Sequence, residues 1–270
     1  MDAATVTILD DVQRAAQRLN ADVLLIGASA RDYWLHTRHG IRVGRATEDY
    51  DLAVIVESWG VYQQLTDALV KTGQFRPDSH QQQRLHAGGL TLDLIPFGDL
   101  ESPPGNIAWP PAGTIVMSTL GFREALATGE TVNIGSGTSF KVATLPSLVL
   151  LKLIAWNDRR NSKDAYDVTL IAQNYTDAGH FQRLTDASAP LIEEFEDIQV
   201  AGAALLGQDI RAIASDETLE IACKILSDAI GYHDGGRFLT CAADAIVDSE
   251  SAEEITARIL GAILHGMRSL

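Results

Sequence analysis

Hydrophobic periodicity changes character once along this chain, near residues 143–146, and the change divides it into two kinds of structure. Before it, β-branched runs bounded by glycine and proline alternate with helix-spaced segments. After Pro146, only helical spacing and alanine-rich stretches remain. The expected fold class is α+β, with a mixed sheet and flanking helices over residues 1–143 and an all-helical part over 144–270.

Within the first part, Val6, Ile8, Leu9, Val12, Ala15, Ala16 and Leu19 are spaced as on one helix face. That helix feeds a buried strand at 22–26, a tight turn Gly27-Ala28-Ser29 and a second helix over about 30–38. The β-branched run 51–56 predicts a strand and 58–72 a helix. His80 to Gly89 predicts a strand with a Gly-Gly turn, and 91–96 a further strand stopped by Pro96. Pro103, Pro104, Pro110 and Pro111 make residues 101–113 a loop, and Gly129 to Lys141 reads as a hairpin.

The net charge is −15, and its position matters more than its size. Residues 1–170 hold 15 Lys and Arg against 19 Asp and Glu, a net −4; residues 171–270 hold 6 against 17, a net −11. The acid lies in the helical part, which argues against that part following a nucleic-acid backbone and fits a solvated helical surface. Cys223 and Cys241 lack metal-ligand spacing and are expected to be reduced core thiols. No apolar run is long enough to span a bilayer, so a cytoplasmic protein with no membrane partner is expected.

Chemistry concentrates in Thr47-Glu48-Asp49-Tyr50-Asp51. Residues two apart on a strand share a face, so Asp49 and Asp51 converge, and two facing carboxylates call for a divalent cation between them. Asp93, embedded in an apolar strand, needs a partner too. If its strand neighbours the first, it completes a three-carboxylate oxygen cage for Mg²⁺ or Mn²⁺ suited to phosphoryl transfer. The Gly27-Ala28-Ser29 turn lies between a buried strand and a helix start, where backbone N–H groups favour an anion; Ser29 reads equally as a helix cap. In the helical part, Lys152, Trp156 and Arg159 share one helix face, while Asp164 and Asp167 share another. By themselves these residues read as an interhelical salt-bridge seam.

Gly27-Ala28-Ser29, the Asp49/Asp51 strand and Leu92-Asp93-Leu94-Ile95 together resemble the polymerase-β-like nucleotidyltransferase superfamily. Adding Leu151-Lys152-Leu153-Ile154-Ala155-Trp156-Asn157-Asp158-Arg159 and Lys163-Asp164-Ala165-Tyr166-Asp167, the chain is similar over about residues 22–175 to the AbiEii/AbiGii toxin family. The resemblance implies a nucleotidyltransferase-type sheet and transfer of a nucleotide from a nucleoside triphosphate to an acceptor hydroxyl. The implied acceptor is RNA, with the 3′ end of tRNA as one form, and a cognate antitoxin protein is an implied partner. By the same resemblance Gly27 and Ser29 contact the triphosphate, and Asp49, Asp51 and Asp93 hold the metal, with Asp93 also activating the hydroxyl. Lys152 neutralises phosphate charge and Asp164 binds nucleotide or orients Lys152; Asp167 and Arg159 support that pair. Nineteen residues separate Ser29 from Asp49, more than in many members. The extra segment, His36 to Arg45, is the most basic in the chain. It reads as a grip on phosphate or RNA, or as an exposed hairpin with no role. Two alternatives stand beside the RNA reading: a small hydroxylated acceptor of the aminoglycoside kind, which the acidic charge would attract, and an inactive nucleotide-binding module.

Overall fold

The computed structural model describes residues 1–43, 49–135, 137–186, 189–246 and 251–269. Arg45, Thr47 and Glu48, singled out above, lie outside the described residues. The chain divides into a sheet unit, residues 1–32 and 44–144, and a helical unit, residues 33–43 and 145–270.

The sheet unit opens with α1 (Ala3–Gln17), capped by Asp2, whose carboxylate accepts from the Thr5 backbone N–H at 2.9 Å. Val6, Leu9, Val12 and Ala16 form its buried stripe, as their spacing predicts. The strands are β1 (Val23–Ile26), β2 (Asp49–Val56), β3 (Arg76–Pro77), β4 (Arg84–Ala87), β5 (Leu90–Gly98), β6 (Asn106–Ala108), β7 (Val116–Ser118), β8 (Glu130–Gly135) and β9 (Thr138–Val142). Seven of them make one mixed sheet in the order β3-β4-β5-β2-β1-β9-β8. Its centre is buried: β1 is covered along its whole length, as are Leu52, Ala53 and Val54 of β2. Between the strands run α2 (Gly27–Asp32), α3 (Trp59–Lys71) and α4 (Phe122–Thr128).

Two expectations change here. Pro96 does not stop its strand, because β5 continues to Gly98. The Leu94 N–H donates toward the β4 side, to Gln83 O, so the donor that Pro96 lacks would point the same way, past the end of β4. An edge of that kind tolerates proline. The proline-rich stretch is not all loop either, since β6 and β7 pair as a small ribbon with Pro110 and Pro111 between them.

Every described regular element after β9 is helical: α5 (Leu145–Arg159), α6 (Ser162–Gln173), α7 (Phe181–Asp186), α8 (Ala189–Phe195), α9 (Ile198–Ile213), α10 (Asp216–Ile230), α11 (Arg237–Ala243) and α12 (Ala252–Arg268). The expected second helix divides in the same sense, with α2 passing into a π-helical turn, Tyr33–Arg38, that belongs to the helical unit. α9 and α12 cross almost backbone to backbone: a Cβ on Gly266 would lie 2.0 Å from Ala204 O. Cys223 and Cys241 are unpaired but half-buried rather than in the core. No described helix is long and apolar enough to cross a membrane.

Candidate active site

Register within the sheet unit places the acidic residues. β1 runs antiparallel to β2 with Ile26 opposite Asp51, and β2 runs parallel to β5 with Asp51 opposite Asp93. Registered partners on adjacent strands project to the same side, so Asp51 and Asp93 share a face, and Asp49, two residues from Asp51, shares it as well. Tyr50 takes the other face, where it meets Thr5 of α1, and burial raises its phenol above the ordinary value. The carboxylates therefore leave the sheet on the side away from α1.

The glycine turn is packed onto this face. Gly27 has φ +70°, and a Cβ there would lie 2.0 Å from Asp51 Oδ2, so backbone conformation and close approach both demand glycine. Ser29 is buried, and its hydroxyl donates to Ile26 O at 3.4 Å. Arg31, two residues on, is a buried cation held by Asp32 through Nε at 2.8 Å and Nη2 at 2.6 Å.

Asp93 turns both of its oxygens to Arg84 on β4. Arg84 Nε donates to Oδ1 at 2.7 Å and Nη2 to Oδ2 at 2.8 Å, a bidentate charge-assisted pair. The carboxylate holds the guanidinium protonated well above its ordinary value. Among the described residues, no three His, Cys, Asp or Glu side chains are grouped as ligands of one ion. The donor set that fits a divalent cation by chemistry and strand face is Asp49 with Asp51, hard anionic oxygens two residues apart.

Arg84 carries no motif of its own, yet its place beside Asp93 has a signal in the sequence. A two-residue Gly88-Gly89 turn fixes the pairing of the flanking strands, and counting outward pairs Ala87 with Leu90 and Arg84 with Asp93. Arg31 gave no such signal, because an Arg-Asp dipeptide reads as surface.

The helical unit holds its own ionic cluster. Lys152 Nζ of α5 lies 2.7 Å from Asp167 Oδ2 and 3.3 Å from Asp164 Oδ1, both on α6. Arg159 closes the other side of Asp164 with two 2.7 Å bonds, from Nε and Nη2. Asp164 is completely buried, and an ionised group there requires such partners. Trp156, between the two cations in sequence, is buried edge-on against Phe238, with Arg160 and Arg237 lying 5.7 and 5.9 Å from its ring. The interhelical salt-bridge seam is thus real. It is also compatible with a binding role for the same residues.

A model of the family described as nucleotidyl transferase AbiEii toxin, type IV toxin–antitoxin system, matches residues 13–221, well beyond the stretch that carries the motifs. No curated protein matches the chain. Among solved structures, the solution structure of the antibiotic-resistance factor ANT(2'')-Ia shares 15% identity at a TM-score of 0.41, covering 73% of this chain and 98% of that one. The crystal structure of ANT(2'')-Ia with adenylyl-2''-tobramycin gives 16% and 0.39, with coverage of 73% and 96%. An antigenic nucleotidyltransferase-like protein from Paracoccidioides brasiliensis gives 18% and 0.41, with coverage of 74% and 92%. Likeness at this level says nothing about the acceptor. The family match, spanning 13–221 of 270 residues, is of another order: the chain belongs to the AbiEii toxin family of type IV toxin–antitoxin systems and is a nucleotidyl transferase.

Proposed function

We propose that this enzyme moves a nucleotide from a nucleoside triphosphate to a hydroxyl of RNA, the 3′ end of tRNA being the first acceptor to test. The observation that carries the reading is the register of Asp51 with Asp93, which gathers three carboxylates on one sheet face beside the Gly27 turn. In this reading the acceptor oxygen bonds to the α-phosphorus, the bond to the bridging oxygen breaks, and pyrophosphate leaves. The hydroxyl proton passes to Asp93, whose oxygens each keep a second lone pair beside the Arg84 bonds.

Asp49 and Asp51 would hold a divalent cation, Mg²⁺ or Mn²⁺, which when bound supplies charge neutralisation on the phosphates. The N–H groups of the Gly27 to Ser29 turn bind the triphosphate. Within the helical unit, Asp164 orients Lys152, the cation that the family resemblance assigns to phosphate charge. Exposed His36, Arg38 and Arg42 support a polyanionic acceptor. The family's type IV description supports a cognate antitoxin as partner, and nucleoside triphosphates and tRNA place the reaction in the cytoplasm. The net charge of −15 favours a second acceptor class, a cationic aminoglycoside-like molecule.

One assay separates these readings. The enzyme is incubated with each α-labelled nucleoside triphosphate, with Mg²⁺ or EDTA, against total RNA, tRNA or an aminoglycoside panel. Label should enter RNA only with the metal, and Asp49→Ala and Asp51→Ala should abolish transfer. Label entering only the aminoglycosides overturns the RNA acceptor. Normal transfer by either variant overturns the carboxylate reading. No transfer to any acceptor, with no Mg²⁺-dependent thermal shift by any of the nucleotides, points to an inactive binding module.

A further inference from the structure

We propose that Arg160, Arg237 and Tyr232 form a contact for single-stranded RNA on the helical unit, the two arginines taking phosphates and the tyrosine ring taking a base. The proposal rests on the RNA-acceptor reading above, and its test separates the two.

Charge in this part of the chain makes the arginine pair unusual. Residues 171–270 hold 6 Lys and Arg against 17 Asp and Glu, so a base there has acids to choose from. Arg183, Lys224 and Arg258 each meet an aspartate, respectively Asp209, Asp228 and Asp197. Arg237 does not. Its guanidinium lies 5.9 Å from the centroid of the Trp156 ring, and its Nη2 donates to Arg160 O at 3.1 Å. The Arg160 guanidinium lies 5.7 Å from the same ring. Among the described residues neither arginine forms an ion pair with a carboxylate, whereas the neighbouring Arg159 is closed on Asp164. Asp234, three residues before Arg237, spends its oxygens on the N–H groups of Gly236 and Phe238, at 3.0 and 2.9 Å.

Two permanent cations gathered on one ring repel each other, and both are exposed. The indole offsets part of that cost, because its face attracts cations better than a phenyl ring does. Trp156 is fully buried, and its Nε1 has no hydrogen-bond partner among the described residues. A phenylalanine would avoid that unmet donor, so what the indole adds here is its hold on cations. A phosphate beside the two guanidiniums removes the repulsion and matches their planar forks.

Tyr232 turns a phosphate site into a nucleic-acid site. Its side chain is 58% exposed, and its ring lies against Gly236, the residue before Arg237. A Cβ on Gly236 would come to 3.1 Å from that ring. The ring is thus seated on backbone with the rest of it open, a platform on which a base stacks. Cations for the backbone and a ring for the base are how sequence-tolerant sites hold a single strand. The surrounding acid keeps the contact short, since a long run of phosphates across residues 171–270 would be repelled. Along α5, Lys152 precedes Arg159 by seven residues, so the arginine pair begins about two turns from it. Tyr232 and Arg237 lie beyond the stretch 13–221 that the family match covers.

The test is fluorescence anisotropy of the full chain with a labelled single-stranded RNA of about 12 nucleotides, in about 50–200 mM salt, together with transfer kinetics on total tRNA. Arg160→Gln and Arg237→Gln should each weaken binding by about 5-fold or more and lower the slope of log K against log salt by about 0.7. Tyr232→Leu should weaken it by about 5-fold with the slope unchanged, since a base contact is lost and a phosphate contact is not. In transfer, all three variants should raise KM for tRNA while kcat and KM for the triphosphate hold. Arg258→Gln removes an equal charge from an arginine paired with Asp197 in the same unit and should stay within about 2-fold of the wild type. Thermal midpoints confirm that folded chains are compared. If the arginine variants bind RNA and label tRNA like the wild type, the proposal is overturned while the RNA reading stands. Equal weakening by Arg258→Gln, or competition by inorganic polyphosphate as strong as by RNA, reduces the patch to diffuse charge and overturns it as well. If the wild type neither binds RNA nor labels it, the RNA reading falls and takes the proposal with it.

Discussion

Replacing Lys152 with Met probes the ionic cluster of the helical unit. Lys152 Nζ stands 2.7 Å from Asp167 and 3.3 Å from Asp164, and the three side chains are 13%, 4% and 0% exposed. At an effective dielectric of about 20, the closer contact alone is a gross attraction of about 6 kcal/mol. Desolvation of both ions offsets most of that when the pair forms. Removing one partner is different, because the buried carboxylates keep their charge with one cation fewer, and such losses run to about 3–5 kcal/mol. Asp164 retains its two bonds from Arg159, so the penalty falls on Asp167 and should sit at the lower end, about 3 kcal/mol. With about 2–4 °C per kcal/mol for a domain of this size, the midpoint should drop by about 6–12 °C. Urea unfolding followed through the fluorescence of buried Trp156, with calorimetry alongside, measures both quantities. Adding Asp167→Asn should recover most of the loss, since a buried negative charge is removed along with the cation. A loss below about 1 kcal/mol, the range of exposed pairs, would refute the reasoning, as would a double variant no more stable than the single one.

Other outcomes follow from geometry. Gly27→Ala should cost about 1–2 kcal/mol for its left-handed backbone and reduce transfer by at least ~10-fold, because Asp51 must move. Gly73→Ala shares the positive φ but has nothing within 4 Å, so it should show the stability cost with transfer intact; equal transfer in the two variants removes the steric argument. Burial lowers His180 to about 4, with Arg183 close to its ring. Its unfolded value is 6.5, so the unfolded chain binds the extra proton first, and stability present above 6.5 is lost as pH falls toward about 4. Because the ring is partly exposed, we expect about 1–2 kcal/mol rather than the full linkage value. His180→Gln should flatten the urea midpoint across that pH window, and an unchanged slope would exclude His180 as the group responsible. Tyr62→Phe removes the hydroxyl that donates to Leu94 O at 3.0 Å and should cost about 1 kcal/mol by urea unfolding; no measurable change would mean that water replaces it.

Much of this architecture was legible because strands repeat every two residues. Asp49 and Asp51 had to share a face, and the Gly-Gly turn tied 84–87 to 90–93 without any structure in hand. The parallel pairing of β2 with β5 was a different matter, since thirty-odd residues of helix and hairpin intervene and local pattern carries no register over that distance. Pro96 misled for a related reason: whether a proline breaks a strand depends on where its neighbour ends. The helical cluster was half legible. Spacing put Lys152 and Arg159 on one face, but the complete burial of Asp164 depends on packing that the sequence does not encode locally. Residues 33–43 belong with the helical unit through long-range contacts, so their basic character alone gave no hint of their neighbours.

The two-residue turn at Gly88 and Gly89 has a consequence for how this enzyme can vary by descent. Inserting one residue between Ala87 and Leu90 while the turn itself stays two residues long would shift β4 by one step against β5 and turn Arg84 to the opposite face, leaving Leu85 beside Asp93. Inserting two, again with a two-residue turn, would keep Arg84 on the carboxylate face, displaced along the strand but still within a long side chain's reach. Relatives that keep an arginine on this strand should therefore differ in hairpin length by even numbers, and an odd change should coincide with loss of the arginine or with its reappearance one position away.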